Sequence, residues 1–129
     1  MPDHALPTTL TRLAELLPER VRLCTHSRLP ISSIDVVLRG ARRVVYHPRG
    51  AAPGWAADGD LLLEAALREE CGARGWDYRQ IYEKEFTLRH VAVLFSAEGL
   101  GAMGEGDSHA HALALAVEAA LAALEGGGA

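Results

Sequence analysis

Cysteine, lysine and long apolar runs are scarce in this chain of 129 residues. Cys24 and Cys71 are its two cysteines, too few and too far apart for a disulfide framework, which favours free thiols in a reducing compartment. No segment approaches the roughly 18 uninterrupted apolar residues that a membrane-spanning helix needs. Residues 1–4 lack the basic and apolar stretches of a signal peptide. We therefore expect a cytoplasmic protein with no membrane partner.

Sequence patterns that would indicate an enzyme or a bound metal are also missing. Cys24 and His26 have a spacing that matches no recognised pair of nucleophile and base. Asp107, His109 and His111 alternate, but side chains two positions apart on a helix point about 200° away from each other. We therefore expect no catalytic residues, no cofactor and no metal.

The net charge of −4 conceals an uneven distribution of charge along the chain. Residues 1–52 carry eight arginines against four acidic residues, whereas residues 53–129 carry thirteen acidic residues against five basic ones. This asymmetry is typical of a chain whose basic part faces an anion. It is equally typical of a chain whose two halves attract each other, and the sequence leaves both interpretations open.

Apolar periodicity in the first part of the chain predicts one helix and a β-hairpin. The helix covers residues 8–18, and a short strand follows over residues 21–24. Two segments rich in Val and Ile, 33–38 and 43–46, read as the strands of the hairpin. The segment between them, Arg39-Gly40-Ala41-Arg42, supplies the turn.

A stretch rich in Pro, Gly and Ala, residues 48–59, marks the best candidate domain boundary. We therefore divide the chain into a basic N-terminal extension, residues 1–52, and an acidic C-terminal module, residues 53–129. The module opens with a helix that Asp58 or Asp60 can cap, and it closes with a helix capped by Ser108. The strands predicted between them cover residues 78–85, 87–96 and part of 99–106. The fold class is thus α+β, an α-β-β-β-α module with an antiparallel three-stranded sheet, preceded by a helix and a β-hairpin.

Several local features of the C-terminal module are those of a known family. Leu61-Leu62-Leu63-Glu64 lies in its first helix, Tyr78 starts its first strand, and Gly104 to Ala112 join a glycine-rich strand to a capping serine. In these features residues 58–125 resemble the double-stranded RNA-binding domain found at the end of ribonuclease III. The resemblance implies the α-β-β-β-α order and, in members that bind RNA, lysines that follow the capping serine and meet phosphates.

The residues that would hold duplex RNA are missing from this chain. The resemblance implies lysines where the chain has His109, Ala110 and Leu113, and a Gly-Pro-x-His loop where it has Glu83-Lys84-Glu85-Phe86. Phosphate contacts supply most of the affinity for duplex RNA, and an acidic module repels that ligand. We therefore expect a degenerate fold of this kind that has lost its RNA-binding face.

The last helix is apolar on its outer side as well as on its core side. Leu113, Val117 and Leu121 form the core stripe, and alanine and leucine replace the usual charged residues opposite. The outer residues that we assign to an interface are Ala114, Leu115, Glu118 and Ala122. A helix of this kind is generally covered on more than one side, so either the N-terminal segment or a second copy covers it. We therefore expect a non-catalytic module that binds a protein partner or forms a homodimer.

The basic hairpin suggests a different function, nucleic-acid binding through the N-terminal half. The residues assigned to this contact are Arg39, Arg42, Arg43 and Tyr46. A basic hairpin tip can reach phosphates in a groove, and it can equally be a solubilising turn.

A second resemblance points to a third function. Gly106-Asp107-Ser108 precedes an alanine-rich helix, and residues 88–125 are in this respect similar to the end of HicB antitoxins. This resemblance implies a small phage-type or antitoxin-like protein that would accompany a small basic toxin.

Overall fold

The computed structural model describes residues 6–24, 33–47, 54–55, 59–83, 89–106 and 108–127. These residues form three helices and seven strands, which confirms the predicted α+β class. The helices are α1 (Leu6–Leu16), α2 (Gly59–Arg74) and α3 (His109–Gly127). The strands are β1 (Val21–Cys24), β2 (Ser33–Leu38), β3 (Ala41–His47), β4 (Gly54–Trp55), β5 (Asp77–Glu83), β6 (Arg89–Phe95) and β7 (Gly101–Gly106).

The described strands form two antiparallel sheets. One sheet has the order β5-β6-β7, which confirms the predicted three-stranded sheet of the C-terminal module. The other has the order β1-β2-β3-β4, so the predicted hairpin β2–β3 is present but extended on both sides. β1 pairs with β2 from Val21 opposite Val36 onward, and β4 pairs with β3 through Trp55 opposite Tyr46. The N-terminal extension is therefore a helix with three strands of a four-stranded sheet, whose fourth strand lies just beyond the predicted boundary at residue 52.

The β2–β3 turn is tight and is attached to α2. Arg39 and Gly40 have φ angles of 52° and 78°, and Leu38 pairs with Ala41, as in a two-residue turn with both central residues left-handed. Glycine adopts this backbone freely, whereas a left-handed arginine is uncommon. The backbone amide of Arg39 donates to the Glu69 carboxylate at 3.1 Å, which holds the turn against α2.

Helix α3 lies at the centre of the molecule. It packs on β7 and β6 on one side, and α1 and α2 contact it on others. Its residues from Ala110 to Ala114 are all buried, as are Ala116, Val117, Ala120 and Leu121. The apolar outer side of this helix is therefore explained in large part by coverage within the chain, by α1 and α2 as well as by the sheet. None of the described helices is both long and apolar enough to cross a membrane.

The two faces of β6 differ in burial, although both carry apolar residues. Ala92 and Leu94 are fully buried beneath the helices, whereas Val93 is partly exposed and Phe95 is 41% exposed on the opposite face. Burial therefore alternates along this strand, as expected for successive side chains on opposite faces of a sheet.

The close approach of α3 to β7 depends on glycine. A Cβ atom added at Gly104 would lie 2.8 Å from the Cβ atom of Leu115 and still closer to backbone atoms of Ala112 and Ala116. The helix begins directly after this strand, where Ser108 acts as the predicted N-cap and its Oγ accepts from the amide of His111 at 3.0 Å. β7 and the first turns of α3 therefore form one tightly packed unit.

The basic and acidic parts of the chain are joined by ion pairs and by a shared core. Arg20 pairs with Glu69 at 2.6 Å and with Glu70 at 3.2 Å, and Arg12 pairs with Glu118. Buried side chains of both parts belong to one hydrophobic cluster. The N-terminal segment therefore packs on the C-terminal module, and the charge asymmetry serves at least partly to hold the two together.

Candidate interaction groove

An open apolar groove runs between β7 and α3, and we call it the β7–α3 groove. Its volume is about 440 Å³. It is lined by Met103, Gly104, Glu105, Leu115, Glu118, Ala119 and Ala122. Apolar atoms therefore make up most of its wall, and the two carboxylates mark its rim.

The strand side of the groove is the edge of a sheet. Among the strands that the structure describes, β7 pairs with β6 alone, so one side of its backbone carries no strand partner there. Met103 is 63% exposed at the middle of this strand. Edge strands in natural proteins are usually protected by lysine, proline or a bulge, and β7, Gly101-Ala102-Met103-Gly104-Glu105-Gly106, has none of these. No strand of the described residues occupies this edge of the sheet.

The helix side of the groove is formed by residues of α3, one of which is bound by α1. Leu115 is half-buried, while Ala119 and Ala122 are exposed and small. Glu118 is held by Arg12 of α1, whose Nε and Nη2 atoms lie 2.5 and 3.1 Å from its two carboxylate oxygens. A two-pronged pair of this kind orients both side chains. The Arg12–Glu118 pair therefore fixes the position of one side chain of the groove lining.

The predicted interface residues differ in how accessible they are to a partner. Ala114 is fully buried inside the chain, so it offers no surface to an external partner, contrary to its assignment to the interface. Glu118 is engaged by Arg12 and contributes to the groove rim. Leu115 and Ala122 line the groove and are accessible to a partner.

The predicted nucleic-acid residues do not converge on one surface. Arg42 and Arg43 are both exposed, but as neighbours on β3 they project to opposite faces of the sheet. Arg42 pairs at 3.4 Å with Asp35, a nearly buried carboxylate. Arg39 lies beside the acidic side chains of α2, and its amide is bound by Glu69. The side chain of Tyr46 lies outside the described part of the structure.

The positions that carry lysine in RNA-binding relatives of the resembled family are largely inside this protein. Ala110 is 2% exposed and Leu113 is fully buried. Glu64, the glutamate of the first-helix pattern that carries the resemblance, pairs with Arg68 at 2.7 Å. Of residues 83–86, where the resemblance implies the minor-groove loop, Glu83 ends β5 and the other three lie outside the described residues. The described positions therefore offer little surface to a phosphate backbone.

His109, the first residue of α3, packs against His90 of β6. The rings of His90 and His109 meet edge to face with centroids 4.2 Å apart. Burial lowers the pKa of His90, and the neighbouring His109 lowers it further. Within the described ranges, no group of three or more His, Cys, Asp or Glu side chains could hold a metal ion. Asp107 of the predicted alternation is outside those ranges, so the whole string is not seen together.

Cys71, the second cysteine of the chain, has a thiol that is poorly suited to act as a nucleophile. Cys71 is buried in α2, and burial raises the pKa of its thiol to about 11. A thiol with so high a pKa stays protonated near neutral pH and does not act as a nucleophile. The side chains of Cys24 and His26 fall outside the described part of the chain.

Sequence reasoning identified part of the groove but missed its strand side. Leu115 and Ala122 were recognisable because they lie on the outer side of an apolar helix. Met103 and Gly104 carried no such signal, since a glycine-rich segment reads equally well as a turn. The pairing order, which places β7 at an edge, comes from the tertiary structure.

Comparisons with known proteins identify no relative of this chain. No family model, no curated protein and no solved structure matches the chain.

Proposed function

We propose that this protein is a non-catalytic interaction module that takes up an extended polypeptide segment along β7. The observation that carries the proposal is the combination of a sheet edge and an adjoining apolar groove. In such strand addition, main-chain hydrogen bonds supply affinity and neighbouring pockets select side chains. The β7–α3 groove provides both parts of this arrangement.

The shape of the groove suits an incoming strand. A strand added beside β7 would lie about 4.8 Å from it, with alternate side chains pointing toward the helix side. Leu115, Ala119 and Ala122 would meet those side chains and leave room for bulky apolar ones. The expected ligand is therefore a segment with alternating apolar residues and no proline at the bonded positions.

The charge of the site supports a polypeptide ligand over a polyphosphate. Glu105 and Glu118 are the charged residues of the groove, and both are acidic. The positions Ala110 and Leu113 are buried rather than presented to a ligand. The groove lining offers no cation to a phosphate, whereas a nucleic-acid site needs several cations to replace its counterions. For the C-terminal module as a whole, we propose a degenerate fold that resembles the double-stranded RNA-binding domain.

Blocking the helix side of the groove is expected to abolish peptide binding. Random dodecapeptides displayed on phage and selected on the immobilised protein should yield strand-forming sequences with alternating apolar residues. The substitution Ala119→Arg should weaken their binding at least tenfold, measured by fluorescence polarisation, because the long side chain fills the groove.

A matched control separates this effect from a general effect of added charge. Ala73→Arg places the same change at an exposed alanine of α2, away from the groove, and should leave peptide affinity unchanged. Equal binding by wild type and Ala119→Arg would refute strand addition at this groove.

Nucleic-acid binding through the arginine hairpin is the alternative, and we expect it to be absent. Arg42 and Arg43 are exposed, yet they project to opposite faces, and acidic residues of α2 lie beside Arg39. Titration of labelled duplex RNA and duplex DNA at low and high salt should therefore show no salt-dependent binding. Binding that weakens steeply with salt and is lost in Arg42→Ala/Arg43→Ala would favour the alternative. The antitoxin-like role stays a prediction, and co-purification with a small basic toxin would support it.

A further inference from the structure

We infer that the strand taken up along β7 is the β7 strand of a second copy, paired antiparallel with Met103 opposite Met103. This inference rests on the proposed function and specifies its partner. The pairing would join the two sheets into one of six strands, β5-β6-β7 from each copy. A two-fold arrangement of this kind is self-complementary, because each copy supplies the edge that the other needs.

The position of charge along β7 selects the register. Glu105 is the one charged residue of this strand, and pairing centred on Met103 puts it opposite Gly101 of the second copy. The two Glu105 residues are then four positions apart along the strands, about 14 Å. Centring the pair on Gly104 instead would bring the two carboxylates to a diagonal distance of about 7–8 Å. The Met103 register therefore avoids like-charge repulsion and stacks the two most exposed apolar side chains of the edge.

The small residues of α3 fit the same arrangement. This helix lies over β7 and, less closely, over β6. Placing β7 beside its copy would set the two α3 helices side by side on the same face of the joined sheet, where small side chains favour their close approach. Ala119 and Ala122 are exposed on the groove side of each helix. Glu118 is neutralised by Arg12, so the facing helices carry little unpaired charge at this point.

The apolar outer face of the sheet would become continuous across the pair. Val93 lies beside Met103 in the strand register, and Phe95 lies beside Gly101. In one copy these side chains form a small patch with Met103 at its edge. In the pair, Met103 lies at the centre of the joined sheet and is covered by its counterpart, so the most exposed apolar side chain of the strand gains a contact.

Sedimentation velocity of the full chain over a wide range of concentration tests the second copy as partner. Wild type and Met103→Leu are expected to form dimers, while Met103→Lys should raise the dissociation constant at least tenfold. Two ammonium groups would lie opposite each other in that variant, and lysine is a common protection of edge strands. Met103 is exposed in the single chain, so this substitution leaves the fold of the monomer intact.

Cysteine cross-linking tests the register. In a Cys24→Ser background, Met103→Cys should form an intermolecular disulfide by itself, because directly opposed residues have Cα atoms at a suitable distance. Gly101→Cys and Glu105→Cys should cross-link with each other in a mixture, and neither with itself. Cross-linking of Glu105→Cys with itself in place of Met103→Cys would overturn the register.

The outcomes distinguish this inference from the function on which it rests. A monomeric wild type at every concentration, or a dimer unaffected by Met103→Lys, overturns the second copy as the occupant. If the monomer still binds selected peptides and Ala119→Arg abolishes that binding, strand addition stands with a different partner. If the wild type is monomeric and binds no peptide, both the pairing with a second copy and strand addition along β7 are refuted.

Discussion

Adding a single methyl group at Gly104 is expected to lower the free energy of unfolding by about 3 kcal/mol, at the upper end of overpacking effects. The new Cβ atom would meet backbone atoms of Ala112 and Ala116, which cannot rotate away as a side chain could. Helix α3 would have to move off β7. Because α3 is the central helix of the core, its displacement would loosen contacts with both the sheet and α1.

Gly101→Ala is the matched control in the same strand. No atom lies within 4 Å of a Cβ added at Gly101. Where the native backbone tolerates it, replacing glycine by alanine stabilises by about 0.4–1 kcal/mol through the unfolded chain. Urea unfolding followed by circular dichroism should thus give effects of opposite sign for Gly104→Ala and Gly101→Ala. Equal midpoints for the two variants would contradict the close approach of α3 to β7.

Replacing Arg20 by methionine is expected to destabilise the protein by about 2 kcal/mol, because the hydrogen bonds of one partly buried, charged group are lost. Arg20 follows α1, and its side chain is 14% exposed. Its Nη1 atom donates to the carbonyl oxygen of Val37 at 2.8 Å and to Glu69 at 2.6 Å. Its Nε atom donates to Glu70 at 3.2 Å. One guanidinium thus joins β2 to α2, and methionine retains the apolar stem without these bonds.

The effect of Arg20→Met should depend on pH. The hydrogen bond from Arg20 lowers the pKa of Glu69 below its ordinary value of 4.5, and the backbone amide of Arg39 adds to this. A carboxyl group with a lowered pKa stabilises the fold fully above its unfolded pKa and loses that contribution as the pH falls through its folded pKa. The stability difference between wild type and variant should therefore narrow as the pH falls below that ordinary value.

Urea unfolding at neutral and acidic pH measures this dependence. Arg22→Met is the control, since Arg22 is exposed on the neighbouring β1 and its loss should change stability by less than about 0.5 kcal/mol. A difference between wild type and Arg20→Met that is the same at both pH values would show that the ion pair with Glu69 contributes nothing.

The elements of the fold could be predicted from the sequence because each has a local cause. Apolar spacing predicted the three helices, and runs of Val and Ile predicted β2 and β3. Ser108 was predicted as the cap of α3 from its position alone, and its hydroxyl accepts from the amide of His111. The fourth strand of the first sheet, Gly54–Trp55, was missed because two residues carry no periodicity.

The candidate site was predicted in part, for a physical reason visible in α3. The sequence indicated a helix that must be covered on more than one side, and it left open which neighbour covers it. The structure shows that Ala114 is buried within the chain, while Leu115 and Ala122 remain in the β7–α3 groove. Residues that the sequence placed together on the outer side of one helix thus have different environments, because coverage depends on distant segments.

Local sequence thus determined the helices, the main strands, the turn and the division of charge in this protein. Those features depend on side-chain spacing, backbone propensity and composition, which act over a few residues. Tertiary structure decided that Arg12 and Arg20 bind acids of the other half, that β7 is an edge strand, and that a groove lies beside it. Such features depend on long-range pairing and on the close packing of α3 against glycine, and neither leaves a periodic trace in the chain.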